Sequence, residues 1–206
     1  MKRAARPSPP VLDIHVTLGS RAWTRKLRTA AACAKRAATA AVDGADKLQS
    51  PSTRRALERT PREISIFLAT DQAVRRLNAS FRGIDKPTNV LSFPAFSEGD
   101  AAPPKGAPTL LGDIAVAFGT TDREARAEGK TLAAHLSHLV VHGVLHLLGY
   151  DHQRDRDAMK MELLETEILA GLGIANPYAT APQDLASVPK ARPRRRKSPA
   201  RKRGPA

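Results

Sequence analysis

Apolar and polar positions along the chain alternate between two periods, and the changes of period divide it into elements. From Val11 to Leu18 the side chains alternate on a period of two with β-branched residues, which predicts a strand ended by Gly19-Ser20. Ser20 can then cap a long Ala-rich helix over 21–42, closed by Asp43-Gly44. A loop with Pro51 and a short helical piece near 52–58 precede a second strand, Ile64 to Ala69. Thr70 or Asp71 caps a helix running to about Phe81. Val90 to Phe93, between Pro87 and Pro94, reads as a third strand, and Leu111 to Phe118 as a fourth. Between these two strands, residues 97–108 form a loop with Pro103, Pro104, Gly106 and Pro108.

The second half turns helical. Thr120 or Thr121 begins a charged helix to about Glu128, Thr131 caps an apolar helix, and Asp155 or Asp157 opens a last one that ends at Gly171 or Gly173. Four strands with five or six helices, clustered late, predict an α+β fold: a small four-stranded mixed sheet with the helix after Thr131 packed beside it. Residues 11–177 read as one domain, because 1–10 and 178–206 are rich in Pro, Ala and like charge and bury too little surface to offset ordering entropy, which predicts disordered tails.

Charge sharpens that division. The formal net charge is +14, yet residues 189–206 hold nine basic and no acidic side chains and the first ten residues hold three basic ones, leaving +2 for residues 11–188. The single cysteine, Cys33, reads as a small buried apolar residue and fits a reducing compartment. The prolines after Lys2, Arg3 and Arg6 do not read as a signal peptide, and no window approaches the ~20 apolar residues of a membrane helix, so a cytoplasmic, membrane-free protein is expected.

The candidate chemistry lies in residues 135–152, HLSHLVVHGVLHLLGYDH, which contain five of the six histidines. At about 100° per residue His142 and His146 share a helix face, which His138 and His135 extend. Gly149 can take the left-handed conformation that ends a helix, so His152 can fold back towards the first two rings. Two ligands from a rigid helix and one from a reversed segment make a three-nitrogen site with a fourth tetrahedral position for water, and zinc suits it best. His135 and His138 are expected to support or line that site, because a fourth protein ligand would close it. The spacing is that of metzincin peptidases, but Gly143 stands where their catalytic glutamate follows the first histidine, which disfavours peptide hydrolysis.

The run HGVLHLLGYDH from His142 to His152, LNASFRGIDKPTNVLSFP from Leu77 to Pro94 and LLGDIAV from Leu110 to Val116 occur in that order. Together they resemble the YbeY family of bacterial rRNA maturation factors, over roughly residues 11–175. The resemblance implies a single-strand-specific endoribonuclease with one zinc per chain, acting in small-subunit rRNA 3′-end processing and ribosome quality control. It implies His142, His146 and His152 as metal ligands and Arg82 as the functional arginine, with precursor rRNA and the small ribosomal subunit or its assembly factors as partners. Arg82 fits the role, since a planar guanidinium holds phosphodiester oxygens or offsets transition-state charge. Asn89 and Ser92 read as turn and edge-strand residues, Asp113 as a turn or ligand-orienting residue, and Asp151 as a loop or capping residue. Two further functions are weighed: a metallohydrolase of peptides or small molecules, and a ribosome-assembly factor with a structural metal. The basic tail would add salt-dependent, sequence-indifferent affinity for RNA.

Overall fold

A computed structural model describes residues 12–57, 60–96, 108–152 and 154–179. The tails expected to be disordered, residues 1–10 and nearly all of 178–206, and most of the proline-rich loop 97–108 lie outside the described residues. Four strands form one mixed sheet: β1 (Leu12–Leu18), β2 (Arg62–Ala69), β3 (Val90–Pro94) and β4 (Thr109–Ala117), in the order β1-β2-β4-β3. The β1–β2 and β2–β4 pairs are parallel and β3–β4 is antiparallel, so β3 is an edge strand.

Seven helices occur among the described residues: α1 (Arg21–Lys26), α2 (Ala30–Lys47), α3 (Pro51–Leu57), α4 (Asp71–Arg82), α5 (Phe118–Ala127), α6 (Leu132–Leu147) and α7 (Asp155–Gly171). The long helix expected over 21–42 is two helices. Trp23 is buried, donates from Nε1 to the Ala69 carbonyl at 3.1 Å and packs edge-on against Phe118, and the chain turns at Leu27 before α2 begins. Nor does Asp43-Gly44 end α2. A Cβ at Gly44 would lie 2.7 Å from Ile168, so this glycine is there to let α7 approach α2 closely.

Alternation along β4 sorts the core onto two faces. Ile114 and Val116 join Ile64, Ile66 and Leu68 beneath the buried faces of α2, α6 and α7. Ala115 and Ala117 point the other way, with Leu91, towards Val74 of α4. The α6 face is apolar over Leu136, Val140, Val144 and Leu147, which holds the helix across β3 and β4. Gly112 marks an irregularity where β2 pairs with β4; it has φ 140°, and a Cβ there would meet the Phe93 carbonyl at 2.2 Å. No described helix is long and apolar enough to cross a membrane.

Candidate metal centre

Thr131 caps α6, its side chain accepting from the Ala134 amide, and fixes the helix that carries the histidines. At the other end Gly149 adopts φ 86°, its amide donating to the His146 carbonyl at 3.1 Å and the Tyr150 amide to the Leu145 carbonyl at 3.0 Å. This paired closure reverses the chain after one residue in the left-handed region, which glycine alone takes without a Cβ penalty. The reversal brings the Tyr150 carbonyl within 3.0 Å of His146 Nδ1 and folds His152 over the helix end. The rings of His142 and His152 stack at 5.6 Å, and those of His146 and His152 meet edge-on at 4.9 Å. One ligand atom from each of His142, His146 and His152 lies within 4.8 Å of the others.

Hydrogen bonding fixes which nitrogens face inward. His146 Nδ1–H donates to the Tyr150 carbonyl, and His142 Nδ1–H donates to Glu165 Oε1 at 2.7 Å. With both rings neutral, as metal ligands must be, both Nε2 atoms are then bare lone pairs, and they stand 3.0 Å apart. Two acceptors at that distance repel unless a cation lies between them, and a tetrahedral zinc with ~2.0–2.1 Å bonds separates its nitrogens by about 3.3 Å. The trio therefore fits a divalent metal by donor type, orientation and spacing. Burial, followed by the nearby rings of His142 and His152, pushes His146 below the usual imidazole pKa and favours the neutral form that binds metal.

Glu165 was not among the residues singled out from the sequence. Its side chain is fully buried, within 2.7 Å of His142 Nδ1 and 3.5 Å of His138 Nε2, and Tyr178 Oη donates to its other oxygen. Burial alone would push this carboxyl up; hydrogen bonds from His138, His142 and Tyr178 outweigh it and hold the pKa down to about 2. The ionised carboxylate pins the His142 tautomer, a contact that orients metal-binding histidines generally. One signal for it existed in the sequence. Glu165 falls on the stripe of Met161, Leu164, Ile168 and Leu169, where a charged side chain needs a partner.

The remaining expected residues separate. His138 touches Glu165 and packs edge-on against Tyr178, and His135 Nε2 lies 2.9 Å from Glu124 Oε2, so neither joins the trio. Arg82 ends α4, where Gly83 (φ 70°) caps the helix, and lines a cleft of about 590 Å³ with Ser92, Pro94, His146 and His152. It is exposed and forms no ion pair among the described residues. Asn89 donates to Glu124 Oε2 at 3.0 Å and accepts from the Val90 amide at 2.7 Å, a strand-entry role. Asp113 lies in mid-strand on β4, exposed and in register with Phe93, so it neither forms a turn nor reaches a histidine. Asp151 lines the cleft and accepts from the His152 amide at 2.7 Å.

Gly143 faces the sheet. A Cβ there would already meet Ile114 Cδ1 and Ser92 Oγ at 3.1 Å, so any side chain at this position would press on β3 and β4.

Comparison with known proteins places this architecture. A family model described as Endoribonuclease YbeY matches residues 28–173. A protein called Endoribonuclease YbeY from Paramagnetospirillum magneticum is 49% identical over 170 residues, covering 81% of this chain and 96% of its own length. One of the same name from Bradyrhizobium diazoefficiens is 44% identical over 187 residues, covering 88% and 92%. Another from Rhodopseudomonas palustris is 61% identical over 118 residues, covering 57% and 69%. A solution structure from Thermotoga maritima aligns over 78% of this chain and 91% of its own at TM-score 0.44 and 22% identity, a distant likeness. By the family match and the near-full-length relatives, the chain belongs to the endoribonuclease YbeY family.

Proposed function

We propose that the chain is a zinc-dependent, single-strand-specific endoribonuclease of the cytoplasm. Its substrate is precursor rRNA, its task 3′-end processing on the small ribosomal subunit together with ribosome quality control. The observation that carries the reading is the convergence of His142, His146 and His152, the last two of which line a cleft together with Arg82, an exposed arginine with no ion pair among the described residues. The relatives are endoribonucleases by name, which supports RNA as the substrate.

Zinc held by the trio supplies Lewis acidity towards a phosphoryl oxygen and activation of water near neutral pH. The chain's own residues do the rest. Glu165 and the Tyr150 carbonyl keep the two Nε2 atoms inward, and Gly149 lets His152 complete the set. Arg82 binds the scissile phosphate from the facing wall, where its fork of donors offsets the charge that grows on the non-bridging oxygens. The cleft is open and His152 is exposed, which suits a flexible single strand.

Peptide hydrolysis is disfavoured because Gly143 stands where such sites carry their general base. An assembly factor with a structural metal is the reading that experiment must separate. Metal analysis of the purified protein is combined with cleavage of single-stranded and duplex RNA by wild type and His146→Ala. The expected result is one zinc per chain, cutting confined to the single strand, and loss of metal and cutting together in the variant. Undiminished cutting by a metal-free variant would overturn the reading.

A further inference from the structure

We propose that the outer face of α1 and α2 is a docking surface for the phosphate backbone of structured RNA, separate from the histidine cleft. The proposal rests on the reading of RNA as substrate and adds the form of RNA: a single strand joined to a duplex.

Between Asp13 and Asp43 the chain has no acidic residue and six basic ones, Arg21, Arg25, Lys26, Arg28, Lys35 and Arg36. All six are exposed. Among the described residues none of them enters an ion pair, and no carboxylate lies within the run to neutralise them. Residues 11–188 carry a net charge of +2, so without these six the same span would stand at −4. The run between Asp13 and Asp43 thus carries +6 by itself, while the rest of residues 11–188 sums to −4. Clustered like charges repel, and a polyanion relieves that repulsion by neutralisation and counterion release.

Packing turns the cluster outward. Cys33, Ala34, Ala37, Ala38 and Ala41 of α2 are buried in the core, which leaves Lys35 and Arg36 on the opposite side, about two turns beyond Arg28. From Ala30, where α2 begins, to Arg36 the helix rises about 9 Å at ~1.5 Å per residue, and Arg28 lies in the turn just before it, so the three cations can meet several phosphates. The only aromatic residue in this stretch, Trp23, is buried. Contact is therefore with the backbone, without base stacking and without sequence preference.

The surface is remote from the chemistry. Arg36 shares a cavity of about 480 Å³ with Ala133, Ala134 and Ser137 at the start of α6. Ala45 and Asp46, at the far end of α2, lie beside Leu148 and Tyr150 just past the end of α6. The two helices run in the same direction, so the cationic face adjoins the N-terminal end of α6 while the histidine trio occupies its C-terminal end. A duplex held at the first leaves its single-stranded extension free to reach the second.

The test compares the full chain with Arg28→Ala/Lys35→Ala/Arg36→Ala, both zinc-loaded. Binding to a stem with a single-stranded overhang is measured across a salt series, and cleavage is measured on a short single strand that reaches only the cleft. The variant should bind the stem RNA at least tenfold more weakly at low salt, with a log–log salt slope shallower by about 2–3, at ~0.9 per phosphate contact. Cleavage of the short strand should be unchanged, and Arg28→Lys/Arg36→Lys should bind like wild type. Arg25→Ala/Lys26→Ala on α1 repeats the measurement should the triple variant misfold. Equal affinity and slope in wild type and variants would overturn the proposal. So would loss of binding to phosphatidylglycerol vesicles with RNA binding intact, which would make the face a membrane contact. A wild type that binds the stem without cutting any RNA sinks the nuclease reading and leaves the docking surface standing; one that binds no RNA sinks both.

Discussion

Replacing Glu165 by Gln removes one charge and nearly no volume from beneath the trio. Both carboxylate oxygens are in use, Oε1 by His142 Nδ1–H at 2.7 Å and Oε2 by the Tyr178 hydroxyl. A carboxamide keeps one acceptor for His142 and turns the other oxygen into a donor, so the Tyr178 hydroxyl must reverse from donor to acceptor. Both bonds lose their charge assistance, a loss of about 1 kcal/mol each. The metal-free chain should thus unfold with about 2 kcal/mol less stability, read from urea denaturation. The same change loosens the hold on the His142 ring, and metal affinity should fall by roughly 10–100-fold in a chelator competition. Acidity gives a second readout. The folded carboxyl sits at about 2 against an ordinary 4.5, so its contribution is fully present above pH 4.5 and is lost as pH falls towards 2. In chelator-treated protein the acid limb of the stability curve should be shallower for Glu165→Gln than for wild type. Unchanged metal affinity together with an unchanged acid limb would refute the argument that this carboxylate orients His142.

Three other substitutions probe separate parts of the structure. Arg82→Ala should lower RNA cleavage by ~10²-fold or more, as loss of a charge-stabilising donor does. Its urea midpoint should stay within about 0.5 kcal/mol of wild type, since the side chain is exposed and unpaired; an undiminished rate removes Arg82 from the mechanism. Gly143→Ala gains helix propensity but presses on Ile114 and Ser92 at 3.1 Å, so a net loss of about 1–2 kcal/mol is expected from thermal unfolding, and a stabilised variant would contradict the packing argument. Arg62→Ala strips Asp46 of a nearly buried two-pronged partner at 2.6 and 2.9 Å and should cost ~3–5 kcal/mol, whereas Arg75→Ala, on an exposed pair, should cost under ~1 kcal/mol. Equal costs in denaturation would show that burial does not set the value of these pairs.

The readings that succeeded from residues alone were those governed by neighbours in sequence. Period-two alternation marked the first strand and short apolar runs the other three, Thr70 and Thr131 marked helix starts, and Gly149 marked the end of α6, because capping and handedness are decided within a turn of chain. The proximity of His142, His146 and His152 follows from one helix face and one reversal, so spacing alone predicted it. What spacing could not supply was anything made by elements meeting across the core. The break after Lys26 depends on Trp23 reaching the Ala69 carbonyl, and the continuation of α2 past Gly44 depends on Ile168 of α7 filling the space a side chain would need. Glu165 lies 23 residues from His142 and reads as one more glutamate in a charged helix until α7 packs on α6 and leaves it buried. The absence of acidic residues from 14 to 42 is visible in the letters, but only the burial of one side of α2 turns those cations into a surface. Local stereochemistry thus determined which side chains can act, while long-range packing, through the desolvation and close contacts it imposes, decided which groups support them and which face remains open to a partner.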